Sequence, residues 1–178
     1  MESIRLSKAP IIASHSSVRA LANVSRNMDD EQLLALKKNG GVIQIVALSR
    51  YVKAAPAANR GGGAAGGNAS ATPRCPLETP GRPPAPAPNA PARANVKDFV
   101  DHIDYAVKLI GIDHVGISSD FDGGGGIDGW NSAAESFNVT LELVRRGYGE
   151  SQIAKLWGGN LLRVWEEVQK VARQLQKG

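Results

Sequence analysis

Apolar and polar positions divide the chain into two patterned segments with an unpatterned segment between them. The first begins with the apolar run 10–14, which is typical of a buried parallel strand, and a second run follows at 42–48. Between these runs, Asn27 is a candidate N-cap for a helix that extends to about residue 39, where Gly40 can end it. The apolar face of this helix consists of three leucines, Leu33, Leu34 and Leu36.

The pattern returns near residue 95. Apolar residues recur at helical spacing between Val96 and Ile110, and Gly111 is the expected terminator. A third strand is predicted over 114–119, followed by a glycine-rich loop. Asn160 is a candidate N-cap for the last of three further helices, predicted at about 131–146, 150–157 and 160–176.

Strands and helices alternate along both patterned segments, which predicts an α/β fold with a parallel sheet. His15 and Asp120 follow or end predicted strands, as active residues do at the carboxyl face of a (β/α)8 barrel. Such a barrel typically needs about 250 residues and eight strands, and only three strands are predicted here. The expected fold is therefore an incomplete (β/α)8 barrel of the TIM type, about three strands with flanking helices.

Residues 54–94 have a different composition. They hold nine of the ten prolines and many glycines and alanines, with Leu77 as the one large aliphatic residue. Such a segment cannot build a packed core. It is either a disordered linker or a stretch read in a shifted frame of a GC-rich gene, and the abrupt change at both ends favours the second interpretation. The predicted regions are 1–53, 54–94 and 95–178.

Composition and charge narrow the function classes. With 178 residues and 42% hydrophobic residues, the chain predicts one globular unit. Most of the formal charge of +4 comes from the unpatterned segment, where the charged residues are Arg60, Arg74, Arg82, Arg93 and Glu78. Because these arginines are sparse and lack interleaved aromatic residues, a nucleic-acid partner is not expected, although a basic binding module is a third interpretation. The single cysteine, Cys75, excludes an internal disulfide and a multi-cysteine zinc site.

The sequence also lacks membrane and export signals. No apolar run approaches the roughly 18 residues of a membrane span, and the N-terminal residues do not form a signal-peptide pattern. The default expectation is a cytoplasmic chain, with the compartment of the intact protein left open.

A few polar residues could carry chemistry. His15 is either a metal ligand or a hydrogen-bonded structural histidine. Asp120 and Asp122 could supply a general base or a ligand, or cap the loop that holds them. Arg26, before a helix, could bind a substrate carboxylate or be a solvated surface charge. The two other histidines, His102 and His114, are expected to be structural.

Six strings along the chain resemble the closing part of the membrane (renal) dipeptidase family. They are PIIASHSS at 10–17, SRNMDDEQL at 25–33, NGGVIQI at 39–45, DFVDHIDYAVKLIGIDHVGI at 98–117, SDFDG at 119–123 and LWGGNLLRVW at 156–165. They occur in the family's order and cover nearly everything outside 54–94. The resemblance implies a zinc-dependent dipeptidase and roughly the last three strands of its barrel.

The resemblance also implies roles for four residues. His15 would ligate one of two zinc ions, and Arg26 would bind the carboxylate of the dipeptide. Asp120 would transfer protons as the tetrahedral intermediate forms and collapses, and Tyr51 would line the substrate pocket. The intact protein could also be a homo-oligomer.

Most metal ligands of the family have no counterpart in these residues. An early His-x-Asp pair, a bridging glutamate and another histidine would belong upstream of Met1, and one histidine cannot hold two zinc ions. The chain is therefore expected to be inactive alone, either as part of a dipeptidase completed by another chain or as a dead fragment of a disrupted gene. Another metal-dependent barrel amidohydrolase is the alternative enzyme, against which the SDFDG and GGNLLRV strings count.

Overall fold

Three parallel strands form the sheet of this structure, a computed structural model that describes residues 2–53 and 93–177. The strands of the described residues are β1 (Ile12–Ser16), β2 (Val42–Val46) and β3 (Val115–Ser118), with β2 in the centre. The predicted α/β class and the parallel order of the strands are therefore confirmed. Apart from Arg93 and Ala94, the predicted segment 54–94 lies outside the described residues.

Helices connect and follow the strands. In the described residues they are α1 (Glu2–Leu6), α2 (Asp30–Asn39), α3 (Ser49–Val52), α4 (Val96–Ile110), α5 (Ser136–Arg145), α6 (Glu150–Ala154) and α7 (Asn160–Leu175). Among these residues no helix combines the length and apolar character needed to cross a membrane.

The start of α2 differs from the prediction. The cap is Asp29, whose side chain accepts a hydrogen bond from the backbone N–H of Gln32 and whose own N–H donates to the Gln32 side-chain oxygen. Asn27 was predicted as the cap, and this was wrong because its side chain is buried and bonded to the backbone of Ser17, Ala22 and Tyr51. At the other end Gly40 adopts the left-handed conformation expected of a terminating glycine.

The core lies between the sheet and helices α2 and α4. Ile43 and Ile45 of β2 are fully buried, and so are Leu33 and Leu36 of α2. Leu34 was predicted on the same apolar face, but it is 48% exposed because its side chain lies on the outer side of the helix. Each fully buried aliphatic side chain contributes about 1.5–3 kcal/mol relative to exposure, so this face attaches α2 to the sheet.

Helix α4 has more buried residues than any other helix of the described residues. Asn95 accepts bonds from the N–H groups of Lys97 and Asp98, and the Asp98 carboxylate accepts one from the Asn95 N–H. This capping box starts the helix where the sequence predicted. Its buried face consists of Phe99, Val100, His102, Ile103, Ala106 and Ile110.

The C-terminal helices differ from the predicted pair. Helix α6 continues through a π turn at Lys155–Gly159 directly into α7, so Asn160 does not begin a separate helix. The predicted N-cap role of Asn160 was wrong, because its side chain is buried and donates to the carbonyls of Ile112 and Val115. Asn160 thereby fixes the start of β3. In the same region, the helix predicted from about residue 131 begins at Ser136, after a short 3-10 turn.

Two histidines have the structural roles that the sequence predicted. The buried ring of His102 accepts a hydrogen bond from the Val18 N–H at Nδ1 (3.0 Å) and donates from Nε2 to the Val52 carbonyl (2.9 Å). His114 bonds the Gly41 carbonyl through Nδ1 at 2.8 Å. His102 therefore joins α4 to the segments that follow β1 and β2.

The burial of His102 predicts a pH dependence of stability that can be measured. Burial lowers the pKa of His102, although the Val52 carbonyl and the charges of Asp101 and Asp98 oppose that shift. Because the folded pKa lies below the unfolded value of about 6.5, stability is retained above that value and decreases as the pH falls below it. We expect the free energy of unfolding to decrease between pH 7.5 and 5.5 by at most about 1.4 kcal/mol per pH unit.

Urea unfolding at a series of pH values measures this slope. The control is His102→Gln, which lacks the titrating ring and should show a shallower slope over the same range. An equal slope in both proteins would contradict the assignment to His102.

Candidate active site

His15 lies near the carboxyl end of β1 with an exposed ring that is held at both nitrogens. Nη2 of Arg26 is 3.3 Å from Nε2, and the Ser14 hydroxyl is 2.8 Å from Nδ1. A guanidinium can only donate, so Nε2 accepts, and Nδ1 of the neutral ring then carries the proton and donates to Ser14. This tautomer matches a histidine that ligates a metal through Nε2 while a neighbour fixes its other nitrogen. The Nε2 lone pair is used by Arg26 here, so a metal at Nε2 would replace the Arg26 donor.

Arg26 lies in the loop between β1 and α2. Its carbonyl accepts a hydrogen bond from the buried Ser16 hydroxyl at 2.9 Å, which ties the loop to the end of β1. The side chain is exposed, and among the described residues it pairs with no carboxylate. Among the described residues, the guanidinium N–H donors of Arg26 that do not contact His15 are therefore available to bind an anion.

Tyr51 lies in α3, immediately after β2. Its ring is buried with Val46, Leu48 and Val24, and the guanidinium carbon of Arg50 is 5.3 Å from the ring centroid. The Tyr51 carbonyl accepts a hydrogen bond from the Asn27 side chain at 2.8 Å. Tyr51 is thereby attached to the loop that carries Arg26.

Asp120 follows β3 in an unusual backbone conformation. It is the one described non-glycine residue with positive φ (54°), a left-handed conformation that aspartate tolerates better than most residues. Its carbonyl accepts hydrogen bonds from the N–H groups of Gly123 and Gly125, which close the glycine-rich loop beneath it. The Gly126 N–H then donates to the Ala47 carbonyl and attaches this loop to the end of β2.

An aromatic cluster supports the same loop from below. The Trp130 ring packs against Phe99, Phe121 and Trp157, with ring centroids 5.4, 5.5 and 5.8 Å away. Phe121 is the residue after Asp120, so the cluster fixes the loop to α4 and to the C-terminal helices. Trp130 itself is fully enclosed and donates to the Ser136 hydroxyl.

The four predicted site residues share one edge of the sheet, but not all of them touch. His15 and Arg26 are in contact, and Tyr51 is linked to the residue after Arg26. Among the described residues Asp120 makes no side-chain hydrogen bond or ion pair with the other three, and it lies at the end of β3, two strands from His15. The edge thus brings together His15 and Arg26, from β1 and the loop that follows it, with Asp120 from the loop after β3.

These residues alone do not make a zinc site. The ring orientation of His15 fits a single zinc ligand, as described above. However, residues 2–53 and 93–177 contain no group of three or more His, Cys, Asp or Glu side chains that could hold a metal ion. Catalytic zinc normally uses about three protein ligands, so the single candidate ligand His15 is too few for a catalytic zinc site.

Sequence reasoning missed Ser14 and the positional role of Asn27. The serine directly before His15 was a usable signal, because a hydroxyl beside a histidine can fix its tautomer. Nothing in the sequence pattern indicated the bonds of Asn27, since its partners lie between 5 and 24 residues away.

A parallel three-stranded α/β sheet with its polar candidates at the carboxyl ends of the strands is consistent with part of a barrel-type α/β enzyme. The chain belongs to the membrane dipeptidase family (peptidase family M19), whose sequence profile matches residues 1–178. Members of this family are metallodipeptidases, and the present chain is part of such a domain.

Curated relatives agree with this assignment. Dipeptidase ataJ of Aspergillus terreus is 36% identical over 172 residues, which are 96% of this chain and 34% of the relative. Dipeptidase 3 of Rattus norvegicus is 31% identical over 171 residues, 96% of this chain and 28% of the relative. The chain thus spans about a third of the length of these relatives.

Solved dipeptidase structures superpose on most of this chain. The probable dipeptidase PvdM from Pseudomonas aeruginosa superposes with a TM-score of 0.75 and 39% identity, over 95% of this chain and 47% of that one. A metallo peptidase of the same family, dipeptidase AC, has a TM-score of 0.69 at 23% identity, over 92% of this chain and 39% of that one, which indicates a shared fold.

The glycine-rich loop offers a test of how Asp120 is held. A Cβ at Gly125 would be 2.0 Å from the Ser119 carbonyl oxygen and 2.6 Å from that of Asp120, both backbone atoms that cannot turn away. We expect Gly125→Ala to lower the free energy of unfolding by about 1–3 kcal/mol, as overpacked sites do. Amide exchange at Gly123 and Gly126 should also accelerate.

The control is Gly158→Ala, because a Cβ at Gly158 meets no atom within 4 Å. It should cost no stability and leave the loop amides unchanged. If Gly125→Ala behaves like the control, the loop is not packed against Asp120 as described.

Proposed function

We propose that this chain supplies one zinc ligand, the substrate-carboxylate clamp and the proton-transfer aspartate of a zinc-dependent dipeptidase. The placement of His15 beside Arg26 at one strand end carries the proposal, because a metal bound at Nε2 in place of Arg26 would leave the arginine donors next to the metal ligand. We further propose that the sheet forms the last three strands of a TIM-type barrel. The sequence similarity to dipeptidase ataJ and PvdM supports both proposals.

Arg26 would bind the free carboxylate of a dipeptide. Its fork of N–H donors matches the two oxygens of a carboxylate, and its backbone carbonyl is fixed by the buried Ser16 hydroxyl. An arginine anchored in this way orients the substrate relative to the strand ends and selects substrates that end one residue after the scissile bond. Tyr51, buried beside the same loop, would form part of the wall of that pocket.

Asp120 would exchange protons with the reacting groups. Its side chain is partly exposed at the strand edge and, among the described residues, forms no hydrogen bond that would occupy its oxygens. The left-handed backbone of Asp120 and the hydrogen bonds from two glycine N–H groups to its carbonyl fix the backbone position from which its side chain extends. A carboxylate held in this way can accept a proton from an attacking water and return it to a departing amine.

Zinc would supply a Lewis acid and a bound water whose pKa falls to about 7. His15 provides one ligand toward this centre, and the further ligands would come from parts of the barrel that these residues do not include. Dipeptide substrates and a homo-oligomer of the intact protein are expectations drawn from the family.

We expect the isolated 178-residue chain to bind zinc weakly and to show no dipeptidase turnover. With a single ligand, zinc cannot be held in a catalytic geometry, so water stays near its bulk pKa. Purified chain with added ZnCl2 and Ala-Ala, followed by release of free alanine, measures this. Zinc-dependent hydrolysis that disappears in His15→Ala would show that the chain is active by itself.

A chimaera tests the residue roles in an intact barrel. In it, this chain replaces the segment that it matches in dipeptidase ataJ. We expect zinc-dependent hydrolysis of dipeptides, with His15→Ala lowering the bound zinc and abolishing turnover. Asp120→Asn should lower kcat by about 10²–10⁴-fold with zinc content unchanged, the typical range for lost proton transfer.

Arg26→Ala in the same chimaera should act mainly on KM, and only for substrates with a free C-terminal carboxylate. Comparison of Ala-Ala with its C-terminal amide separates this effect from general damage, because the amide lacks the group that Arg26 binds. A chimaera that folds and binds zinc without turnover would favour the dead-fragment interpretation. An equal loss for both substrates in Arg26→Ala would contradict the clamp.

A further inference from the structure

Asn27 is the most extensively bonded buried amide at the strand edge. It is 1% exposed, and its side chain makes three hydrogen bonds. Oδ1 accepts from the Ser17 N–H at 3.2 Å, while Nδ2 donates to the carbonyls of Ala22 at 2.9 Å and Tyr51 at 2.8 Å. Both amide protons are thus used, and the partners lie in two segments, Ser17 and Ala22 after β1 and Tyr51 after β2.

These segments carry three of the candidate site residues. Ser17 is two residues after His15, Ala22 lies in the loop that leads to Arg26, and Tyr51 is itself a partner through its carbonyl. Arg26 immediately precedes Asn27, and its own carbonyl is bonded by Ser16. The Arg26 backbone is therefore held on both sides.

We propose that Asn27 is a positioning residue that sets the relative placement of His15, Arg26 and Tyr51. This proposal rests on the proposed function only because the residues that Asn27 positions would bind metal and substrate. Asn27 is buried and touches no candidate ligand itself, so it acts through the backbone at the end of β1, the loop and α3. A short amide is required, because one group must accept a single N–H and donate two protons within one side-chain length.

The chain contains a matched control. Asn160 is likewise buried, at 2% exposed, and donates through Nδ2 to two backbone carbonyls, those of Ile112 and Val115. These carbonyls flank His114 and lie at the start of β3, the opposite edge of the sheet from the site. Loss of Asn160 removes the same number of donated bonds from a place without candidate site residues.

The experiment compares Asn27→Ala and Asn160→Ala in the 178-residue chain by NMR. The chain has three histidines, so the ring-proton signals of His15 and His114 can be assigned and followed separately. Asn27→Ala should move the His15 signals and leave those of His114 unchanged, whereas Asn160→Ala should do the opposite. No zinc or substrate is needed, so the result does not depend on turnover.

Amide exchange provides the second readout. In Asn27→Ala, the backbone amides of residues 24, 27 and 51 should exchange at least about tenfold faster relative to the α4 amides. The reason is that the buried carbonyls of Ala22 and Tyr51 lose their donor. Asn160→Ala should lack this local effect. If Asn27→Ala does not fold, Asn27→Ser, which can still donate one bond, replaces it and should show a smaller change in the same direction.

Two results would overturn the proposal. One is a folded Asn27 variant with unchanged His15 signals and unchanged loop exchange. The other is an Asn160 variant that disturbs His15 and the loop as strongly as the Asn27 variants do, since Asn27 would then contribute only to global stability. An inactive ataJ chimaera would count against the proposed function and leave this result unaffected.

Discussion

Parallel pairing of β1, β2 and β3 determines where every candidate residue lies. Because the strands run in one direction, the connections that follow them emerge at a single edge. His15, Tyr51 and Asp120 come from three such connections. The pairing depends in turn on β2, whose buried isoleucines, Ile43 and Ile45, pack on helices α2 and α4.

Buried polar bonds convert this common edge into a defined arrangement. The two segments after β1 and β2 are joined by Asn27 and by His102, each of which bonds backbone groups from both. The loop after β3 is attached to β2 through the bond from Gly126 to Ala47. Unpaired backbone groups at these buried places would cost free energy, so the side chains that pair them also fix the loops.

In the proposed function, two residues would serve the substrate and one would serve the metal. Arg26 and Asp120 are each held by bonds to their own backbone carbonyls, which leaves their side chains available. The metal side has His15 alone among the described residues, in a chain about a third as long as its curated relatives. The family assignment therefore rests on sequence similarity, and the proposed catalysis would need further metal ligands beyond the described residues.

The sequence by itself determined the α/β alternation, the three strands, the extent of α4 and the family, because these depend on local periodicity, a terminating glycine and contiguous motifs. It misjudged Asn27 and Asn160, since the same residue type caps helices and bonds distant carbonyls, and local pattern cannot distinguish the two. The contact of Arg26 with His15 and the left-handed backbone of Asp120 were likewise decided only by tertiary structure. Those features depend on which segments lie next to each other at the carboxyl ends of the strands, and packing between residues far apart in the sequence determines this.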